Sequence, residues 1–107
     1  MSTSGAALQD RFRAEVWKWA DRLRVHPRQV RIQVMRWKWA SCSSRRTLTF
    51  AFDLVDQPTG FRRFVIVHEL LHLRVPNHGR LFKAMLSMHV PDWRRFAKAG
   101  TESGASQ

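Results

Sequence analysis

The sequence predicts an α+β fold: an N-terminal helix, a β-hairpin packed on a buried helix that carries His-Glu-x-x-His, and short helices at the C-terminal end. Three observations lead there. Apolar residues recur at steps of three and four over 6–24, the spacing of one helix face. Apolar and polar residues alternate from Val30 onward, the period-two pattern of a half-buried strand. The stretch 61–74 is apolar nearly all round, which is the character of a helix enclosed by other elements.

In the first helix Leu8, Phe12, Val16, Trp19 and Leu23 share a face, with Trp17 off the stripe against a second neighbour. His26-Pro27 ends it, because the residue before a proline avoids helical backbone. Val30, Ile32 and Val34 then alternate with Arg31, Gln33 and Met35, giving a strand over 30–38. Ser41 to Ser44 reads as a polar turn, and Leu48, Phe50 and Phe52 mark one side of a second strand over 47–53. Two strands joined in this way form a hairpin, which needs a partner surface; the buried helix supplies it. Pro58-Thr59-Gly60 punctuates the chain before that helix and Pro76-Asn77 stops it. A further helix is expected from Gly79 to His89 and a short one after Pro91-Asp92 to Lys98. Residues 1–5 are expected to fray, 6–99 to form a single domain, and 100–107 to be a disordered tail.

A chain of 107 residues is one small domain, short enough for a bound metal to contribute to stability. Five Trp and seven Phe provide large apolar side chains for the core. Cys42 is the single cysteine, so no intramolecular disulfide forms and a reducing compartment is expected. With no apolar leader and no run of membrane-spanning length, the expected location is cytoplasmic, without membrane contact. The net charge of +11 favours anionic partners, a nucleotide or nucleic acid among them, although the arginines are dispersed as on an ordinary solvated surface. Trp37 and Trp39 alternate with Arg36 and Lys38, a pattern able to stack on and neutralise a nucleotide or single strand. A domain this small needs its tryptophans inside, so both are expected to be packed.

The chemistry lies in His68-Glu69-Leu70-Leu71-His72 and the nearby His78. Residues four apart project from one helix face, so the two imidazoles stand one turn above each other. Glu69 sits one step round that turn, placed to reach a metal-held water without ligating the metal. His78, beyond the Pro76-Asn77 break, supplies a third nitrogen on the returning chain. Three neutral histidines with an open position suit a catalytic zinc rather than a structural one. Glu69 is also the only acid between Asp56 and Asp92. Two histidines and a carboxylate buried without partners would cost several kcal/mol (about 2–7 for each polar group), and one metal ion with its water satisfies all three.

Three blocks of the chain resemble the YgjP-like family of zinc metallopeptidases, within the wider zincin group. Met35 to Ser44 looks like the family's Arg-Trp-Gly-Ser-Cys-Ser segment; the His-Glu-x-x-His helix continues into Pro76-Asn77-His78 and Phe82; and Val90-Pro91-Asp92-Trp93 is similar to Leu-Pro-Asp-Tyr. Order and spacing agree over about 15–98. Lys38 replaces the family's usual Arg, losing a planar bidentate donor, and Ala40 replaces a Gly, restricting the backbone there. The resemblance implies a zincin-like domain with one Zn2+ held by His68, His72 and His78, and with Glu69 as general base. It also implies a longer, strand-rich region ahead of the conserved part, so that this chain reads as a minimal version in which a partner chain can replace that region. Val75 stands where metzincins carry Gly, which argues against that clan.

The leading expectation is therefore zinc-dependent hydrolysis of a peptide or protein through a metal-activated water. One of the two strands would present its edge to an extended substrate. Lys38, Trp39, Arg80 and His89 are the candidates for contacting substrate, since the chain has no Tyr to steady an oxyanion. Two alternatives stand beside it: a metal-dependent hydrolase of nucleotide phosphoanhydrides, and a non-enzymatic, zinc-stabilised adaptor associated with nucleic acid.

Overall fold

In the computed structural model the described residues are 5–97. The expected frayed start and disordered tail lie outside them, except that Gly5 opens the first helix. The elements run α1 (Gly5–Leu23), β1 (Gln29–Gln33), β2 (Ala40–Cys42), β3 (Thr47–Ala51), a 3-10 turn (Phe52–Leu54), α2 (Thr59–Leu71), α3 (Arg80–His89) and α4 (Trp93–Phe96). None of these helices is long and apolar enough to cross a membrane.

The expected face of α1 is the one it buries: Phe12, Val16, Trp19 and Leu23 are all enclosed. The helix ends ahead of Pro27 because Arg24 adopts left-handed backbone (φ 57°). Val25 N–H then reaches back to Ala20 C=O and Arg24 N–H to Asp21 C=O, the Schellman pattern usually built on glycine. Arg74 from the far end of α2 donates to Leu23 C=O at 3.1 Å, so this helix end and the region of the histidines are tied together.

The sheet corrects the expected hairpin. The order is β1-β3-β2, with β1 parallel to β3 and β2 antiparallel to it. After β1 the chain crosses the end of β3 through residues 34–39 and returns as β2, so the hairpin is β2–β3. Its turn is held by Ser43, whose Oγ accepts from Arg45 N–H and Thr47 N–H. Arg46 occupies the left-handed position (φ 68°), an uncommon one for a residue with a Cβ. It is secured by two guanidinium bonds to His26 C=O, at 3.0 and 2.9 Å, and by Arg28 N–H donating to Arg46 C=O. The expected strand over 47–53 stops at Ala51, and Phe52, expected on one side of it with Leu48 and Phe50, begins the 3-10 turn 42% exposed.

Helix α2 passes through the centre, against α1, α3, α4 and β2. Every residue from Phe64 to Leu71 is buried, as the all-round apolar pattern requires. Gly60 lies where α4 closes over the start of α2: an added Cβ would stand 3.0 Å from the Phe96 ring. Burial of this kind holds α2 on every side, and it is the element that carries the His-Glu-x-x-His segment.

Candidate metal centre

His68 and Glu69 sit in the last turns of α2, 9% and 7% exposed. His72 follows the final helical residue, where Leu73, Arg74 and Val75 turn their N–H groups back to Leu70 and Leu71. Pro76 and Asn77 then reverse the chain. Asn77 Oδ1 accepts from Gly79 N–H at 3.1 Å, shaping the tight step into α3. That step swings His78 back over the helix end.

The three imidazoles converge. His72 Nε2 and His78 Nε2 are 3.0 Å apart, and one nitrogen from each of the three rings lies within 4.8 Å of the other two. An ion bound at about 2.0–2.1 Å by each nitrogen needs donors about 3–4 Å apart, so the set fits one metal ion after small adjustment. His68 Nδ1 lies 3.2 Å from Glu69 Oε2. Carboxylate and ring are thus at hydrogen-bond distance, and a carboxylate bonded to a histidine in this way fixes the orientation of the ring.

Beneath the triad lies Phe82, 2% exposed, with its ring centroid 5.4, 5.0 and 4.8 Å from those of His68, His72 and His78. Phe64 flanks His68 from the other side at 5.7 Å. Phe82→Ala should cost about 3–5 kcal/mol of stability in a denaturant melt and weaken metal retention, because all three rings lose the surface they rest on. A melt unchanged within 1 kcal/mol (on the order of RT) would contradict that role.

This apolar setting has an electrostatic consequence. Burial lowers the pKa of His72 below its ordinary 6.5, with His68 adding to the effect while Glu69 and the backbone of Pro76 and Val75 oppose it. Burial likewise lowers His78, with His68 and His72 contributing. Both rings are therefore neutral at pH 7 and available as lone-pair donors. Because the folded state holds fewer protons than the unfolded chain, stability is fully present above about 6.5 and is lost as pH falls through the lowered folded values. The melting temperature of chelator-treated protein should thus drop on acidification below pH 6.5. A variant with His72 and His78 both replaced by Gln should lose that part of the pH dependence.

A cleft of about 460 Å3 opens over the site, lined by His68, Glu69, His72 and Pro76 on one side and by Lys38, Ala40, Ser41, Cys42, Ser43 and Ser44 on the other. The opposite wall is thus β2 and its turn. Burial, and secondarily Glu69, raise the pKa of the Cys42 thiol above its ordinary 9.0, and Cys42 stands on the wall across from the three histidines.

Of the candidate substrate contacts, Lys38 is on this cleft. Trp39 is half-buried with its ring 5.2 Å from Phe61 and lines a separate groove. Arg80 is exposed at the start of α3, and His89 stands edge-on to Trp19 at 6.0 Å; neither lines the cleft. The expectation that both tryptophans pack inside fails for Trp37, which is 80% exposed. Residues 34–39 are not strand, so nothing holds the two indoles to one face.

A small α+β domain whose central helix and following turn bring three histidines together at the foot of a cleft has a side-chain cluster that could hold a metal ion. The chain belongs to the YgjP-like family: the model of the YgjP-like metallopeptidase domain matches residues 4–99. No curated protein matches it. Among solved structures it is similar to the metallopeptidase zymogen jannalysin of Methanocaldococcus jannaschii, at 25% identity and a TM-score of 0.68 over 73% of this chain and 80% of that one. Family and fold thus agree with the three-histidine site.

Proposed function

We propose that this protein is a zinc-dependent peptidase in which Glu69 is the general base. The observation that carries the reading is the meeting of His68, His72 and His78 beside Glu69, in a cleft whose facing wall is a strand edge. Zinc is the ion of choice for three imidazoles with an open position. Bound there, it supplies Lewis acidity that makes a water nucleophilic near pH 7 and polarises a carbonyl.

The protein's own groups do the rest. Glu69 accepts the proton from the attacking water and passes it to the departing amine. β2 positions the substrate. Ala51 N–H bonds Trp39 C=O and Ser43 N–H bonds Thr47 C=O, so by antiparallel alternation Ala40 and Cys42 turn their N–H and C=O groups away from β3. Those groups can pair with an extended peptide. The sequence reading placed that edge on one of two strands. β3, however, is central and paired on both sides, while β1 is the opposite edge. Lys38 is the one permanently cationic side chain among the described residues lining the cleft, and it supplies positive charge for a carbonyl oxygen gaining negative charge.

The test is incubation of zinc-loaded protein with a library of unfolded peptides, read by mass spectrometry, with and without chelator. Cleavage that stops on chelation and returns with zinc supports the reading. Absence of cleavage with zinc tightly bound overturns it.

A further inference from the structure

We propose that the loop joining β1 to β2 is a docking surface for single-stranded nucleic acid, with Trp37 as the stacking platform and Arg36 and Lys38 as the phosphate contacts. This goes beyond the peptidase reading and does not depend on it.

Trp37 is the most exposed aromatic side chain among the described residues, although Trp39, two positions on, is used for packing against Phe61. It does not stand alone. The parallel register pairs Gln33 with Ala51, so the next residues, Val34 (80% exposed) and Phe52 (42% exposed), emerge at the same end of the sheet. Exposed apolar side chains therefore lie at the end of the sheet where the loop crosses β3. Arg36 and Lys38 are exposed on either side of Trp37, and a groove of about 200 Å3 runs between this loop and Ala51 and Asp53.

An indole bracketed by two cations on a chain of net charge +11 matches a base bracketed by two phosphates. Aromatic stacking with backbone neutralisation is how single strands are held without reading sequence. An uncharged polypeptide would cover the indole but leave the flanking cations without a counterpart, whereas a nucleic-acid strand brings one phosphate with every base. Asp53 is the one acid among the described residues lining the groove, against the two cations Arg36 and Lys38. Lys38 also lines the metal cleft, so a bound strand would lie alongside that cleft.

The test compares binding of a fluorescent single-stranded oligonucleotide with that of an abasic strand of the same length and charge, by anisotropy. Wild-type protein should prefer the base-bearing strand at least about fivefold. Trp37→Ala should abolish the preference with metal content unchanged, and Trp37→Phe should keep part of it. Arg36→Gln should reduce the slope of log affinity against log salt by about 0.7, one phosphate's worth. Equal affinity of wild type for the two strands overturns the proposal, as does a preference that survives Trp37→Ala. So does a Trp37→Ala variant that loses affinity for unfolded polypeptide while binding the strand as before.

Discussion

Glu69→Gln should lose about 10²- to 10⁴-fold in turnover while keeping its metal and its melting temperature. Glutamine has the same shape, and its side-chain amide, both donor and acceptor, can still bond Nδ1 of His68, the contact that Glu69 makes at 3.2 Å. What it cannot do is take up a proton. The substitution therefore separates holding the histidine from moving the proton. Glu69→Ala would confuse the two, since it removes the partner of Nδ1 in a 9%-exposed imidazole. Metal analysis, a thermal melt and the peptide assay on one preparation decide it. A Gln variant that turns over at the wild-type rate removes Glu69 from the mechanism.

His68→Ala should abolish metal retention through dialysis. Loss of a hydrogen-bonding partner behind a ligand already costs about 10- to 100-fold in metal affinity; loss of one of three ligands costs more. His68 also fills space between Phe64 and Phe82, so part of any destabilisation would be packing. His78→Ala carries a smaller packing component, because His78 is half-buried while His68 is buried, although its ring too lies against Phe82. Both variants should melt at the same temperature with or without chelator, whereas wild type should melt lower after chelation, since a metal that binds only the folded chain stabilises it. A wild-type melt indifferent to chelator and zinc would show that the three rings do not hold an ion.

What the sequence revealed was the part governed by strong periodicity. The buried helix, its two histidines one turn apart and the Pro76-Asn77 reversal that returns His78 all follow from patterns longer than a few residues. β2 did not. Ala40-Ser41-Cys42 is three residues of small and polar character, too short to show alternation, and its strand geometry comes from pairing with β3 and packing against α2. The same blind spot produced the expected hairpin, because a parallel partner leaves no mark on the sequence between Gln33 and Thr47. Phe82 was noticed only as part of a family pattern; its place four residues beyond His78, one helical turn, was the local signal that it lies under the site. Trp37 shows the opposite error, where a sound argument from scarcity of core material gave way to a loop that no ladder constrains.

The shortness of β2 also bears on how the protein behaves at high concentration. A free strand edge invites other chains to add to it, and natural sheets guard against this by keeping such edges brief. Here the open edge is three residues long and ends in the Ser43–Arg46 turn. Two copies meeting edge to edge would share few hydrogen bonds while opposing strong like charge. An edge this short resists polymerising through it, which is compatible with the proposed pairing of one extended substrate there.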